Sequence, residues 1–85
     1  MTHYEEWTQI ILDNKRQQTL ASLIESATSA LNHVLGQLEH GYYDAADIWG
    51  DYGYVVNLRL TQQVINEKRQ RLNRQPLDFV SQVYK

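Results

Sequence analysis

Apolar residues recur at helical spacing along most of the chain, and the clearest run is the stretch 20–38. Leu20, Leu23, Ile24, Ala27, Ala30, Leu31, Val34, Leu35 and Leu38 fall within an arc of about 140° when each residue advances about 100°. The other side carries Ser22, Glu25, Ser26, Ser29, Asn32, His33 and His40. This pattern predicts an amphipathic helix from about 17 to 40. Gly41 follows it and suits a terminator in the left-handed conformation, where a β-carbon is disfavoured.

Upstream, Thr2 and Glu5 have the spacing of a capping box, which predicts a first helix from about Tyr4 to Asp13. If that helix ran on unbroken, its stripe of Tyr4, Trp7 and Ile11 would lie about 150° from the leucine-rich stripe. One face cannot bury both. Either the chain breaks near Asp13-Asn14, or one long helix offers two apolar faces, the second of them to a partner.

Downstream, Asp44-Ala45-Ala46-Asp47 is suited to start a third helix, with Asp44 as cap and Asp47 favourable to the helix dipole. Gly50 and Gly53 weaken it, and a break between Gly50 and Asn57 is expected. Residues 52–60 also alternate as a strand does, with Tyr52, Tyr54, Val56, Leu58 and Leu60 on one side. Helix from about Val55 to Asn73 is the preferred reading, because residues 61–72 are strongly helix-compatible and a lone strand has no evident mate. Pro76 ends it, and a short helix from Leu77 to Tyr84 can dock Leu77, Val80, Val83 or Tyr84. The expected architecture is all-α: a single domain over 1–85, a bundle of four or five helices with the second helix as its core. Surplus apolar surface around Tyr4, Trp7 and Ile11 adds the expectation of a homodimer.

With 85 residues the core is modest, because short chains bury a smaller fraction of their surface. The chain has no cysteine, so disulfide, thiolate-metal and cysteine-nucleophile chemistry is excluded, and a cytoplasmic setting is expected. The first residues do not resemble a signal peptide, nothing reaches the length of a membrane span, and the mean hydropathy is −0.56. Charge is distributed unevenly. Residues 17–58 hold Glu25, Glu39, Asp44, Asp47 and Asp51 without one Lys or Arg, whereas 59–85 hold Arg59, Lys68, Arg69, Arg71, Arg74 and Lys85 against Glu67 and Asp78. The formal net charge is −2.

Candidate chemistry is sparse. His33 and His40 share a helix face, but two turns, about 10 Å, separate them, too far to grip one metal ion. Ser22, Ser26, Ser29 and Glu25 sit on an exposed flank that offers neither activation nor an oxyanion hole. Asp44, Asp47 and Asp51 suit capping and solvation better than acid–base work. Gly50 and Gly53 lack the lysine, hydroxyl and strand of a phosphate loop. No enzyme, cofactor or metal is therefore expected.

Two binding surfaces remain. Glu39 to Tyr54 holds four tyrosines and a tryptophan among acids; Tyr and Trp are typical interface anchors because they join apolar area to a polar tip. This points to a non-catalytic adaptor or inhibitor that docks a protein with a basic surface through Tyr42, Tyr43, Asp44, Asp47, Trp49, Asp51 and Tyr52. Compact inhibitors such as those bacteriophages deploy have this size and charge. The alternative is nucleic-acid binding through Arg59, Lys68, Arg69, Arg71 and Arg74, where Arg and amide side chains share one helix face. The acidic balance of the chain, pI about 5.8, weighs against it.

Overall fold

In a computed structural model, which describes residues 2–84, the Thr2 hydroxyl accepts the Glu5 amide at 3.1 Å and opens helix α1, His3–Arg16. Three helices carry the architecture: α1, α2 (Leu20–Glu39) and α4 (Tyr54–Arg71). Between and after them lie two single turns, α3 (Ala46–Trp49) and a 3₁₀ turn, Val80–Tyr84. Among the described residues there is no strand. The fold is a small all-α one, and the expected four or five helices reduce to three of full length.

The break between the first two helices falls later than Asp13-Asn14. Both residues stay helical; Asp13 lies 3.7 Å from Arg16 one turn on, and the chain turns at Gln17 and Gln18. Thr19 then starts α2 by accepting the Ser22 amide at 3.1 Å, the usual work of a hydroxyl at this position. The break resets the helical phase, so that Leu12 of α1 joins Leu23, Ala27, Leu31 and Val34 of α2 in one cluster. Gly41 has φ of 85°. Its amide donates to Leu38 O and the Tyr42 amide to Gln37 O, the paired bonds that close a helix on a left-handed residue.

Helix α4 is the hub, a place expected for α2. It packs against α1, α2, α3 and the 3₁₀ turn. Val55, Leu58, Leu60, Thr61, Val64 and Ile65 are all buried on it, an arc of about 220° at 100° per residue. Burial that wide leaves little amphipathic contrast, which is why 52–60 also reads as a strand. Thr61 is 2% exposed, and its hydroxyl donates to Asn57 O at 2.9 Å, so the buried polar atom is satisfied within the helix. Six side chains larger than alanine, Leu23, Val34, Ile48, Leu58, Val64 and Ile65, are aliphatic and have no exposure; each contributes about 1.5–3 kcal/mol by leaving water.

Helix α4 stops at Arg71, before Pro76 can act. Asn73 adopts φ of 56°, its amide donates to Gln70 O, and the Arg74 amide to Arg69 O. The chain then returns along α4 as an extended strap held by two amide side chains one turn apart. Asn66 donates to Leu77 O at 2.9 Å and accepts the Leu77 amide at 2.8 Å. Gln62 Oε1 accepts the amides of Phe79 and Val80 at 2.6 and 2.9 Å. These bonds satisfy a backbone that forms no helix there, and Val83 ends the strap buried in the core. The principal extents are 39 × 31 × 18 Å, so the molecule is a slab less than two helix diameters thick.

Candidate interaction groove

The loop after α2 determines where the aromatic residues go. The left-handed turn at Gly41 reverses the chain, Tyr42 and Tyr43 emerge exposed, and α3 begins at Ala46. Asp44 does not cap α3; the N-cap is Ala45, with no side-chain hydrogen bond. Burial of Ile48, which has no exposure, anchors this single turn instead. Gly50 follows, and a β-carbon there would run into the Ala46 carbonyl.

Ile48 in the core holds Trp49 half-buried at the rim, where its ring lies 5.7 Å from Tyr84, tilted by 48°. Between them and the end of α2 runs a groove of about 580 Å³. Leu35, Leu38 and Val83 supply its apolar lining; Tyr43, Trp49 and Tyr84 its rings; Glu39 and Gln82 its polar groups. Tyr43 and Tyr84 are 63% and 65% exposed. The Trp49 indole N–H is shielded from solvent and meets no acceptor, a cost to the free protein of the kind unsatisfied buried donors impose.

The expected partner-binding set is thus divided. Tyr43 and Trp49 line the groove, Tyr42 and Asp44 are exposed on the loop beside it, and Tyr52 goes elsewhere. The Tyr52 ring packs edge-on against Trp7 at 5.0 Å and Tyr4 at 5.9 Å, while the Arg59 guanidinium donates to the Tyr4 hydroxyl at 3.2 Å. Asp47 joins Tyr52, Gly53, Tyr54, Asn57 and Ala30 around a second hollow of about 390 Å³, and Asp51 is exposed. In the patch around Tyr4 and Trp7, expected to face a second copy, these half-buried rings pack with Tyr52, which stays 55% exposed; Ile11 packs on the core, and Ile10 is the exposed apolar residue of α1.

Several of the basic residues have internal partners. Lys68 Nζ donates to Arg16 O at 3.1 Å, answering a free carbonyl at the end of α1. Arg69 Nε donates to Gln75 O at 2.6 Å across the turn that ends α4. Arg71 and Arg74 are exposed. Arg16 grips Glu67 in a fork, Nε to Oε1 at 3.1 Å and Nη2 to Oε2 at 3.0 Å. That hydrogen bond is the main reason the Glu67 carboxyl sits below its usual range and the Arg16 guanidinium above its own. Burial alone lowers Lys15.

The His33 ring lies 4.3 Å from Tyr54, tilted by 35°, and His40 forms the C-cap of α2; among the described residues no three His, Cys, Asp or Glu gather as a metal site would require. Ser22, Glu25, Ser26 and Ser29 are exposed around one shallow hollow. No helix among the described residues is long and apolar enough to cross a membrane.

Sequence reasoning missed most of the groove. Leu35, Leu38, Gln82, Val83 and Tyr84 come from α2 and the strap, 40 or more residues apart, and no local pattern links them; Glu39 lay within the aromatic-acidic stretch but outside the chosen residues. No family model, curated protein or solved structure matches this chain.

Proposed function

We propose that this protein is a non-catalytic protein-binding module, a small adaptor or inhibitor, that docks a basic surface of its partner on the groove between the end of α2, α3 and the 3₁₀ turn. The observation that carries this reading is that Tyr43 and Tyr84, each more than 60% exposed, line one groove together with Trp49. Large aromatic side chains left in water around an apolar cleft are the usual makeup of interface anchors. Glu39 at the groove and Asp44, Asp47 and Asp51 on the adjoining segment favour a positive partner surface and repel a phosphate backbone. A chain without cysteine suits the cytoplasm.

Nucleic-acid binding through Arg59, Lys68, Arg69, Arg71 and Arg74 draws less support, because the first three hold hydrogen bonds inside the chain. A homodimer through Tyr4, Trp7 and Ile11 draws less, since those side chains are already half-buried against Tyr52 and the core.

The test is a pull-down from lysate with and without nuclease, comparing the wild type with Tyr43→Ala/Tyr84→Ala, which alters exposed positions, and with Tyr43→Ala/Trp49→Ala. One protein retained by the wild type after nuclease, and lost by the Tyr43/Tyr84 variant at unchanged helicity, is the expected result. Retention that nuclease abolishes, or that the variant leaves intact, refutes the reading.

A further inference from the structure

We infer that the groove takes one arginine side chain, presented by a segment of the partner whose backbone carbonyl meets the Trp49 indole. The inference rests on the groove being the docking surface, and names what fills it. Leu35, Leu38 and Val83 offer apolar surface to an aliphatic stem, which a long cationic side chain buries while its head stays polar. Trp49 and Tyr84 are tilted by 48° rather than stacked, so both rings keep face area for a third planar group.

Among the described residues, Glu39 is the only charged one lining the groove, and no ion pair to it occurs. Residues 17–58 contain no Lys or Arg, so neither α2 nor α3 carries a cation to neutralise this carboxylate. A negative group beside aromatic faces attracts a cation twice over, through the carboxylate and through the ring quadrupoles. Arginine fits better than lysine, because its planar guanidinium stacks on rings and matches a carboxylate with a fork of donors. The guanidinium accepts no hydrogen bond, so it cannot answer the orphaned Trp49 N–H. A peptide carbonyl can, which makes the occupant a residue in a chain rather than a free cation. Such binding therefore requires the half-buried ring to turn so that this shielded donor meets the groove.

The test is an NMR titration of the full isotope-labelled chain with N-acetyl-arginine amide and three comparison probes: the lysine, leucine and citrulline counterparts. Citrulline keeps the shape and loses the charge. The indole signal of Trp49, assigned with Trp49→Phe, and the Tyr84 amide are expected to shift with the arginine probe while the Trp7 indole stays. Citrulline is expected to bind about tenfold more weakly, and Glu39→Gln to weaken arginine about fivefold and leave citrulline unchanged.

Citrulline or leucine binding as well as arginine makes the occupant neutral or apolar and overturns the inference, as does the absence of any shift at Trp49 with tens of millimolar probe. Such a result leaves the docking reading standing if Tyr43→Ala/Tyr84→Ala still loses the partner. Retention of the partner by that variant removes the docking reading, and this inference with it.

Discussion

The same substitution, glycine to alanine, is expected to act with opposite signs at two positions. At Gly36, inside α2, a new β-carbon meets nothing within 4 Å, so Gly36→Ala gains the helix preference of alanine, about 1 kcal/mol. At Gly53, the N-cap of α4, it would lie 2.8 Å from both the Asp47 and Ile48 carbonyl oxygens and 3.0 Å from the Ile48 carbonyl carbon. These are backbone atoms of α3, pinned by the buried Ile48, and they cannot swing aside as a flexible side chain would. The backbone at Gly53 is extended, φ −82° and ψ −179°, so alanine meets no torsional strain there, and restricting the unfolded chain favours it by about 0.4–1 kcal/mol. Relieving the close contacts costs about 1–3 kcal/mol, which wins.

Thermal unfolding followed by circular dichroism reads both effects. For a chain of this size about 1 kcal/mol moves Tm by roughly 4–8 °C, so Gly36→Ala rises by about that much and Gly53→Ala falls by a similar amount or more. Gly53→Ser, which adds a capping hydroxyl worth only a few tenths of a kcal/mol over glycine, is expected to fall as well. A Gly53→Ala protein as stable as the wild type refutes the close approach of α3 to the start of α4.

Asn66→Ala removes both bonds to Leu77 and leaves that residue's amide and carbonyl short of partners, a loss of about 1–3 kcal/mol; limited proteolysis is expected to cut the strap near Leu77 while helicity is kept, and a strap that stays protected argues against the clip. Glu67 lies below its ordinary range in the folded protein because Arg16 donates to it. A carboxylate depressed in this way adds stability above its unfolded pKa and loses it as pH falls through the folded one. The Tm advantage of the wild type over Glu67→Gln is therefore expected at neutral pH and to close below about pH 4; an advantage that persists in strong acid contradicts it. The size is modest, since both partners are partly solvated.

What the sequence makes legible is what local chemistry fixes. The stripe of α2, the Thr2 cap and the left-handed stop at Gly41 each follow from a few neighbouring residues, and the structure has all three. The Thr19 cap and the left-handed Asn73 carry local signals too, a hydroxyl three residues before Ser22 and an asparagine after a basic turn, which Asp13-Asn14 and Pro76 outshone. The hub role of α4 is harder to read because packing on two sides erases its hydrophobic contrast. Least legible are pairings across long stretches of chain: Tyr52 with Trp7, Trp49 with Tyr84, and Gln62 and Asn66 with the strap. Asn66 is one of the amides that share a helix face with the arginines, and its partner is the chain's own backbone.

Helix α1 reaches the rest of the molecule chiefly through α4. The bonds that hold it, Arg16 to Glu67, Lys68 to Arg16 and Arg59 to Tyr4, join residues 51, 52 and 55 positions apart, and Leu12 is its one buried side chain. Such an element cannot consolidate until α4 exists, because closing a loop that long costs entropy before any contact returns it. It can also detach while α2 and α4 stay packed. Native-state hydrogen exchange then divides the protein into two cooperative units, with the amides of α1 exchanging through a partial opening well below the free energy of global unfolding. The groove takes its lining from α2, the α3 segment and the strap and none of it from α1, so it is expected to stay intact in that partly opened form.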